Sequence, residues 1–110
     1  YPTNREEVNL NHISTLKENY PNIKAGFSNH YNGHDACVGS VVLGAECIEF
    51  HITNDRASYG SDQAASIEKS AALISAIRTM EVMLGDGIKK VYDSEVPIAN
   101  KLRKVNDVTG

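Results

Sequence analysis

Apolar positions along the 110-residue chain change rhythm several times, and each change marks an element. Val8, Leu10, Ile13 and Leu16 form a stripe at helical spacing, and Thr3-Asn4-Arg5-Glu6 ahead of it has the spacing of a capping box. One helix is expected there, ending near Asn19 and closed by Pro21. Asn22 to Ser28 reads as a strand. The loop Asn29 to His34 carries Tyr31-Asn32-Gly33, whose turn residues oppose regular structure. A second helix is expected over Asp35 to Leu43; its small residues Ala36, Gly39 and Ser40 let it lie close on a sheet, and Gly44 stands where a left-handed C-cap residue belongs. Glu46 to Ile52 follows as a strand, then a polar loop, Asn54 to Ser66, containing Gly60. Leu73, Ile77, Met80 and Leu84 predict an amphipathic helix over about Ile67 to Leu84, ended by Gly85-Asp86-Gly87. Ser94 is expected to cap a last helix with Pro97 in its first turn, and Lys101-Leu102-Arg103-Lys104 to form a solvated basic face.

A strand, a crossover helix and a second strand make parallel neighbours whose carboxyl ends share an edge. Each strand closes on a histidine, so His30 and His51 are expected side by side at the edge where α/β folds bind ligands. The strands carry apolar residues on both alternations, among them Ile23, Ala25, Phe27, Ile48 and Phe50, which is the pattern of a sheet covered on both faces or closed into a barrel. Two strands make no such core by themselves, and a (β/α) barrel typically takes roughly 250 residues. The expected fold class is therefore α/β, the C-terminal portion of a TIM-type barrel with parallel strands and crossover helices. Residues 1–110 are then a single partial domain, with Tyr1-Pro2-Thr3 as the tail of a further strand.

Composition narrows the function classes. Eleven basic against 14 acidic residues give a formal charge of -3 with no basic cluster, which argues against nucleic acid and against an anionic membrane surface as partners. No apolar run approaches a membrane span, and no signal peptide is seen, so a soluble chain is expected. Cys37 and Cys47 lack metal-site spacing and are expected to be small buried hydrophobes in a reducing, cytoplasmic setting.

Six short blocks, Gly26-Phe27-Ser28-Asn29-His30, Leu43-Gly44-Ala45, Glu49-Phe50-His51-Ile52-Thr53, Asp55-Arg56, Gly60-Ser61-Asp62 and Ala65-Ser66-Ile67-Glu68, in this order and spacing, resemble the sialic acid synthase family. The resemblance runs from Tyr1 to Gly87. It implies a barrel that condenses phosphoenolpyruvate with N-acetylmannosamine or a related amino-sugar to a nonulosonic acid and phosphate. A divalent metal, manganese before magnesium, would sit on His30 and His51, its other positions taken by water or substrate oxygens. Ser28 matches a position that helps hold the phosphate of phosphoenolpyruvate; Glu49, Asp62 and Tyr1 match positions that contact the amino-sugar, with Asp62 and Glu49 as candidates for proton steering. The parent enzyme is expected to be a homodimer, with its N-terminal strands and the family's small antifreeze-like domain outside these residues.

The chain departs from the family pattern at Asn29, where Asp or Gly is usual, at Asn54, where a small apolar residue is frequent, and at Gln63, where His is frequent; these positions bear on substrate choice. Simpler roles also exist. His12 and His34 read as structural, Ser28, Glu49 and Asp62 could cap turns, and Glu6, Glu7, Glu68 and Glu81 read as solvated helix charges. A non-catalytic reading stands beside the enzymatic one: a truncated barrel fragment that only binds metal or pairs with another chain.

Overall fold

A computed structural model describes residues 2–55, 57 and 70–103. Asn4 opens a one-turn 3-10 segment, Arg5–Glu7, and the chain then breaks before helix α1, His12–Asn19. The single helix expected from Thr3 is thus two pieces. Asn9 takes φ of 51°, a left-handed conformation that asparagine tolerates and a helix cannot contain. The expected capping box does not form either: Asn4 Nδ2 donates to the Glu7 carboxylate at 3.0 Å rather than the side chain accepting from a backbone N–H.

Strand β1, Gly26–Ser28, and strand β2, Cys47–Glu49, pair in parallel with Gly26 opposite Cys47, Phe27 opposite Ile48 and Ser28 opposite Glu49. Both are shorter than the expected seven residues. Each has a single neighbour among the described residues, so the ladder is held from one side and extends by only one bond at each end, Glu46 N–H to the Ala25 carbonyl and Asn29 N–H to the Glu49 carbonyl. Helix α2, Asp35–Val42, makes the crossover as expected. Gly44, at φ of 92°, turns its end so that Gly44 N–H reaches Val41 and Ala45 N–H reaches Ser40, while Lys17 Nζ donates to the Gly44 carbonyl at 3.2 Å.

Helix α3, Ser70–Leu84, packs on α2. Leu73 and Cys37 are fully enclosed at that contact, and Phe27, Ile48, Phe50 and Ile77 pack around them. One face of the sheet is therefore covered by helices. The other carries Gly26, Ser28, Cys47 and Glu49 and is exposed along the described residues. That alternation corrects the expectation for Cys47: Cys37 is buried, its thiol pushed up to about 11 by desolvation, whereas Cys47 points to the open face and is exposed.

Gly85 and Gly87, both at positive φ, end α3 as expected. A 3-10 turn, Asp93–Glu95, leads into helix α4, Val96–Leu102, with Pro97 in its first turn. Ser94 is not the cap. The Glu95 carboxylate accepts from Tyr92 N–H at 3.0 Å and closes that turn in its place. Ile88, Val91, Val96, Ile98 and Leu102 in this last part are all exposed. The total accessible surface is 8534 Å², against about 6000 Å² for a compact protein of this mass. Among the described residues no helix is long and apolar enough to cross a membrane.

Candidate functional site

The parallel register builds the site in layers on the open face of the sheet. Gly26 lies opposite Cys47, Ser28 opposite Glu49, and one step further His30 and His51 emerge beside each other. Alternation alone keeps these residues on one face. The two imidazole rings meet edge to face, their centroids 5.4 Å apart and their planes at 67°. The side-by-side placing expected from the strand ends is therefore observed. Gly26 suits the bottom layer, because a Cβ there would come within 2.9 Å of the Cys47 carbonyl oxygen.

Glu49 stands at the centre. It accepts a short hydrogen bond, 2.5 Å, from the Ser28 hydroxyl on one oxygen, and its other oxygen lies 3.2 Å from His51 Nε2. Ser28 Oγ is in turn 3.3 Å from His30 Nε2. The four side chains form one chain of polar contacts, His30 to Ser28 to Glu49 to His51, across both strands. The carboxyl of Glu49 is held below its ordinary value of 4.5, first by the Ser28 hydroxyl and then by the two histidines. Glu49 is consequently an anion throughout the neutral range, next to two imidazoles.

The backbone around His30 is tied on every side. Asn29 N–H donates to the Glu49 carbonyl at 2.8 Å, and Thr3 N–H donates to the His30 carbonyl at 2.7 Å. The Asn29 side chain, almost fully buried, folds back on Tyr31: its Nδ2 donates to the Tyr31 carbonyl at 3.0 Å and its Oδ1 accepts from Tyr31 N–H at 3.2 Å. A small cleft of about 180 Å³ opens beside these residues, lined by Thr3, Glu7, Val8, Phe27, Ser28, His30 and Tyr31. A larger groove of about 300 Å³ lies on the helix-covered side, between β2, α2 and α3, but its walls are apolar and its rim charges Arg78 and Glu81 pair with each other at 2.7 Å. Glu46 also lines it, and the polar side chains that contact one another across the two strands lie instead at the strand ends.

Of the residues expected at the site, Ser28, His30, Glu49 and His51 come together; Tyr1 and Asp62 lie outside the described residues, as do most of the loop from Asn54 to Ser66 and the start of the following helix. His12 is exposed in the first turn of α1, and His34 precedes α2, both apart from the cluster. Sequence reasoning missed Thr3 and the Asn29 amide as fixing groups. The Asn29-His30-Tyr31 order carried the second signal, since Asn commonly bonds to the backbone two residues on.

Two imidazoles are neutral nitrogen donors suited to a first-row divalent ion. Among the described residues no group of three or more His, Cys, Asp or Glu side chains is arranged to hold one. The nitrogen donors that stand side by side at the strand ends are those of His30 and His51. Because Glu49 already faces His51 Nε2, its carboxylate is the group that an ion arriving at that nitrogen would displace or share.

Residues 1–89 match the model of the NeuB family. The chain is 39% identical over 106 residues to human N-acetylneuraminate-9-phosphate synthase, and 38% identical over the same length to the N,N'-diacetyllegionaminic acid synthase of Campylobacter jejuni. These alignments cover 94% of the chain but only 30% and 31% of the two relatives, so the chain spans about a third of their length. In structure it is similar to an N-acetylneuraminic acid (sialic acid) synthetase from Leptospira borgpetersenii serovar Hardjo-bovis solved in complex with citrate. The TM-score is 0.73 at 35% identity, covering 94% of this chain and 38% of that one.

Proposed function

The chain belongs to the NeuB family, and from that membership and the geometry at its strand ends we propose that it forms the C-terminal part of the (β/α) barrel of a cytoplasmic sialic acid or related nonulosonic acid synthase. One observation carries the reading: Ser28, His30, Glu49 and His51 share one face at the carboxyl ends of two parallel strands. In barrels of this kind the chemistry is done at that end. The substrates in this reading are phosphoenolpyruvate and N-acetylmannosamine or a related amino-sugar.

A divalent ion on His30 and His51, manganese before magnesium, would supply Lewis acidity at the aldehyde oxygen of the open-chain sugar. Ser28, whose hydroxyl donates to Glu49 in the structure, would donate to a phosphate oxygen once substrate replaces that acceptor. Glu49, anionic at neutral pH, accepts from sugar hydroxyls, and Asp62 and Tyr1 complete the sugar contacts. As C3 of phosphoenolpyruvate bonds to the aldehyde carbon, water adds at C2 and phosphate leaves. Asp62 and Glu49 are the carboxylates available to steer the protons.

The same proposal makes residues 1–110 a partial domain. The two-stranded sheet has an exposed polar face, and the chain leaves some 2500 Å² more surface accessible than a compact protein of its mass. A bound phosphate and carboxylate need several cationic or N–H donors converging from different strand ends, and among the described strand-end residues Ser28 is joined by no lysine or arginine side chain. The chain alone is then inactive, and the parent enzyme works as a homodimer. The test is complementation. The 110-residue chain should give no product from phosphoenolpyruvate and N-acetylmannosamine, adding the remaining barrel strands as a separate chain should restore turnover, and His51→Ala should abolish it again. Asp62→Ala in the complete enzyme should slow condensation and leave manganese affinity nearly unchanged. A monomeric 110-residue chain that turns over would overturn the partial-domain reading, and an active His51→Ala enzyme would overturn the metal role.

A further inference from the structure

We infer that Asn29 is the positioning residue that aims His30, acting through the backbone on either side of it. This rests on the reading of His30 as a ligand for a divalent ion. Asn29 and Ser40 are the buried polar residues among those described, and Asn29 is 1% exposed. Ser40 spends its hydroxyl within its own helix, on the Cys37 carbonyl at 2.6 Å. Asn29 instead spans the site residue: its backbone N–H is fixed on β2 through the Glu49 carbonyl, and both ends of its amide are fixed on the backbone of Tyr31, two residues on. His30 lies between those two anchors, its own carbonyl held by Thr3 N–H. With the peptides before and after it locked, the torsions that set where the imidazole leaves the main chain have little freedom, although β1 has already ended at Ser28.

The amide suits this role chemically. Tyr31 presents one donor and one acceptor, and a neutral carboxamide meets both at once. A carboxylate would meet the N–H and repel the carbonyl, and a side chain with no polar atom would leave both of these half-buried groups without their partner there. Groups that orient a metal ligand typically change metal affinity by 10- to 100-fold when removed. Asn29 therefore adjusts how well the open two-histidine centre is formed before any ion or substrate arrives, without touching either.

The test uses the parent enzyme that contains these residues, titrated with Mn2+ while the signal of the free ion is followed by electron paramagnetic resonance, with thermal unfolding of the metal-free protein measured in parallel. His30→Ala should lose most Mn2+ binding. Asn29→Ala should weaken binding about 10- to 100-fold while His30 and His51 are both present. Asn29→Asp, which keeps the acceptor for Tyr31 N–H and loses the donor, should weaken it less, by under about 10-fold. Wild-type Mn2+ affinity in a folded Asn29→Ala protein, beside lost binding in His30→Ala, overturns the positioning role and leaves the metal reading intact. A lowered melting temperature with unchanged affinity overturns it too, since a merely structural residue behaves that way. If Asn29→Ala does not fold, Asn29→Asp decides, and wild-type affinity there is equally fatal. Unchanged binding in His30→Ala removes the metal reading itself and this inference with it.

Discussion

Replacing Leu73 by alanine should cost about 2–3 kcal/mol of stability. Leu73 is fully enclosed at the contact of α3 with α2, and the change deletes three carbons from a site with no accessible surface. At about 0.8 kcal/mol per buried carbon the transfer loss is roughly 2.4 kcal/mol. Leu-to-alanine changes in cores span about 2–5 kcal/mol, the upper part being reached where the surroundings cannot close over the cavity. Here the walls are Phe27, Ile48, Phe50 and Ile77, all only partly buried and free to relax inwards, so the cavity contribution is small. Val82, on the same helix and 82% exposed, is the control; its alanine variant should stay within about 0.5 kcal/mol of wild type. Urea unfolding followed by far-ultraviolet circular dichroism on three chains of equal length measures both. If Leu73→Ala unfolds within about 0.5 kcal/mol of Val82→Ala, the contact of α2 with α3 is not the core and the argument fails.

Glu49→Gln should change the acid limb of stability. The carboxyl of Glu49 is held below 4.5 in the fold, so its interactions with Ser28 and the histidines are present above that value and are lost as pH falls through the lower folded value; the gap between wild type and variant should therefore be open above about pH 4.5 and close as the pH falls well below it, and a gap that persists when the carboxyl is fully protonated would contradict the sign. In the 110-residue chain a maleimide should label Cys47 quickly and Cys37 only on unfolding, because one thiol is exposed and the other is buried with its pKa raised to about 11; mass spectrometry of the digested product reads both. Gly44→Ala should destabilise by about 1–2 kcal/mol, since φ is 92° and the new Cβ would also displace Lys17 Nζ, and equal melting temperatures would show that the turn relaxes freely.

What the sequence conveyed, and what it hid, follows from the range of the interactions involved. The pairing of β1 with β2 was legible because a strand, a small-residue helix and a strand leave few alternatives, and the two terminal histidines followed from it. The ends of elements were less so. The break at Asn9 depends on one left-handed residue inside an otherwise helical stripe, and the strands shortened because pairing partners, not propensity, set the length of a ladder. Cys47 was misjudged because cysteine is usually buried, whereas which face of β2 it occupies is fixed by register with Gly26. Among the residues expected at the site, His30 and His51 follow from the strand ends and Ser28 and Glu49 from the family blocks, and the structure brings these four together. The Ser28 to Glu49 hydrogen bond, and the part played by Thr3, join residues far apart in the chain and leave no local pattern.

The layered strands have a consequence for how this segment can vary over evolution. From Phe27 to His30 and from Ile48 to His51, alternate letters of the sequence serve different masters: Phe27, Ile48 and Phe50 answer to the helices, and Ser28, His30, Glu49 and His51 to the open face. A deletion or insertion of a single residue inside either run exchanges the two sets, turning a carboxylate and imidazoles into the apolar layer while phenylalanine enters the site. Length changes should therefore be purged within these runs even when every residue type is retained. Substitution can tune the chemistry one position at a time, but the reading frame of the strand itself is inherited whole.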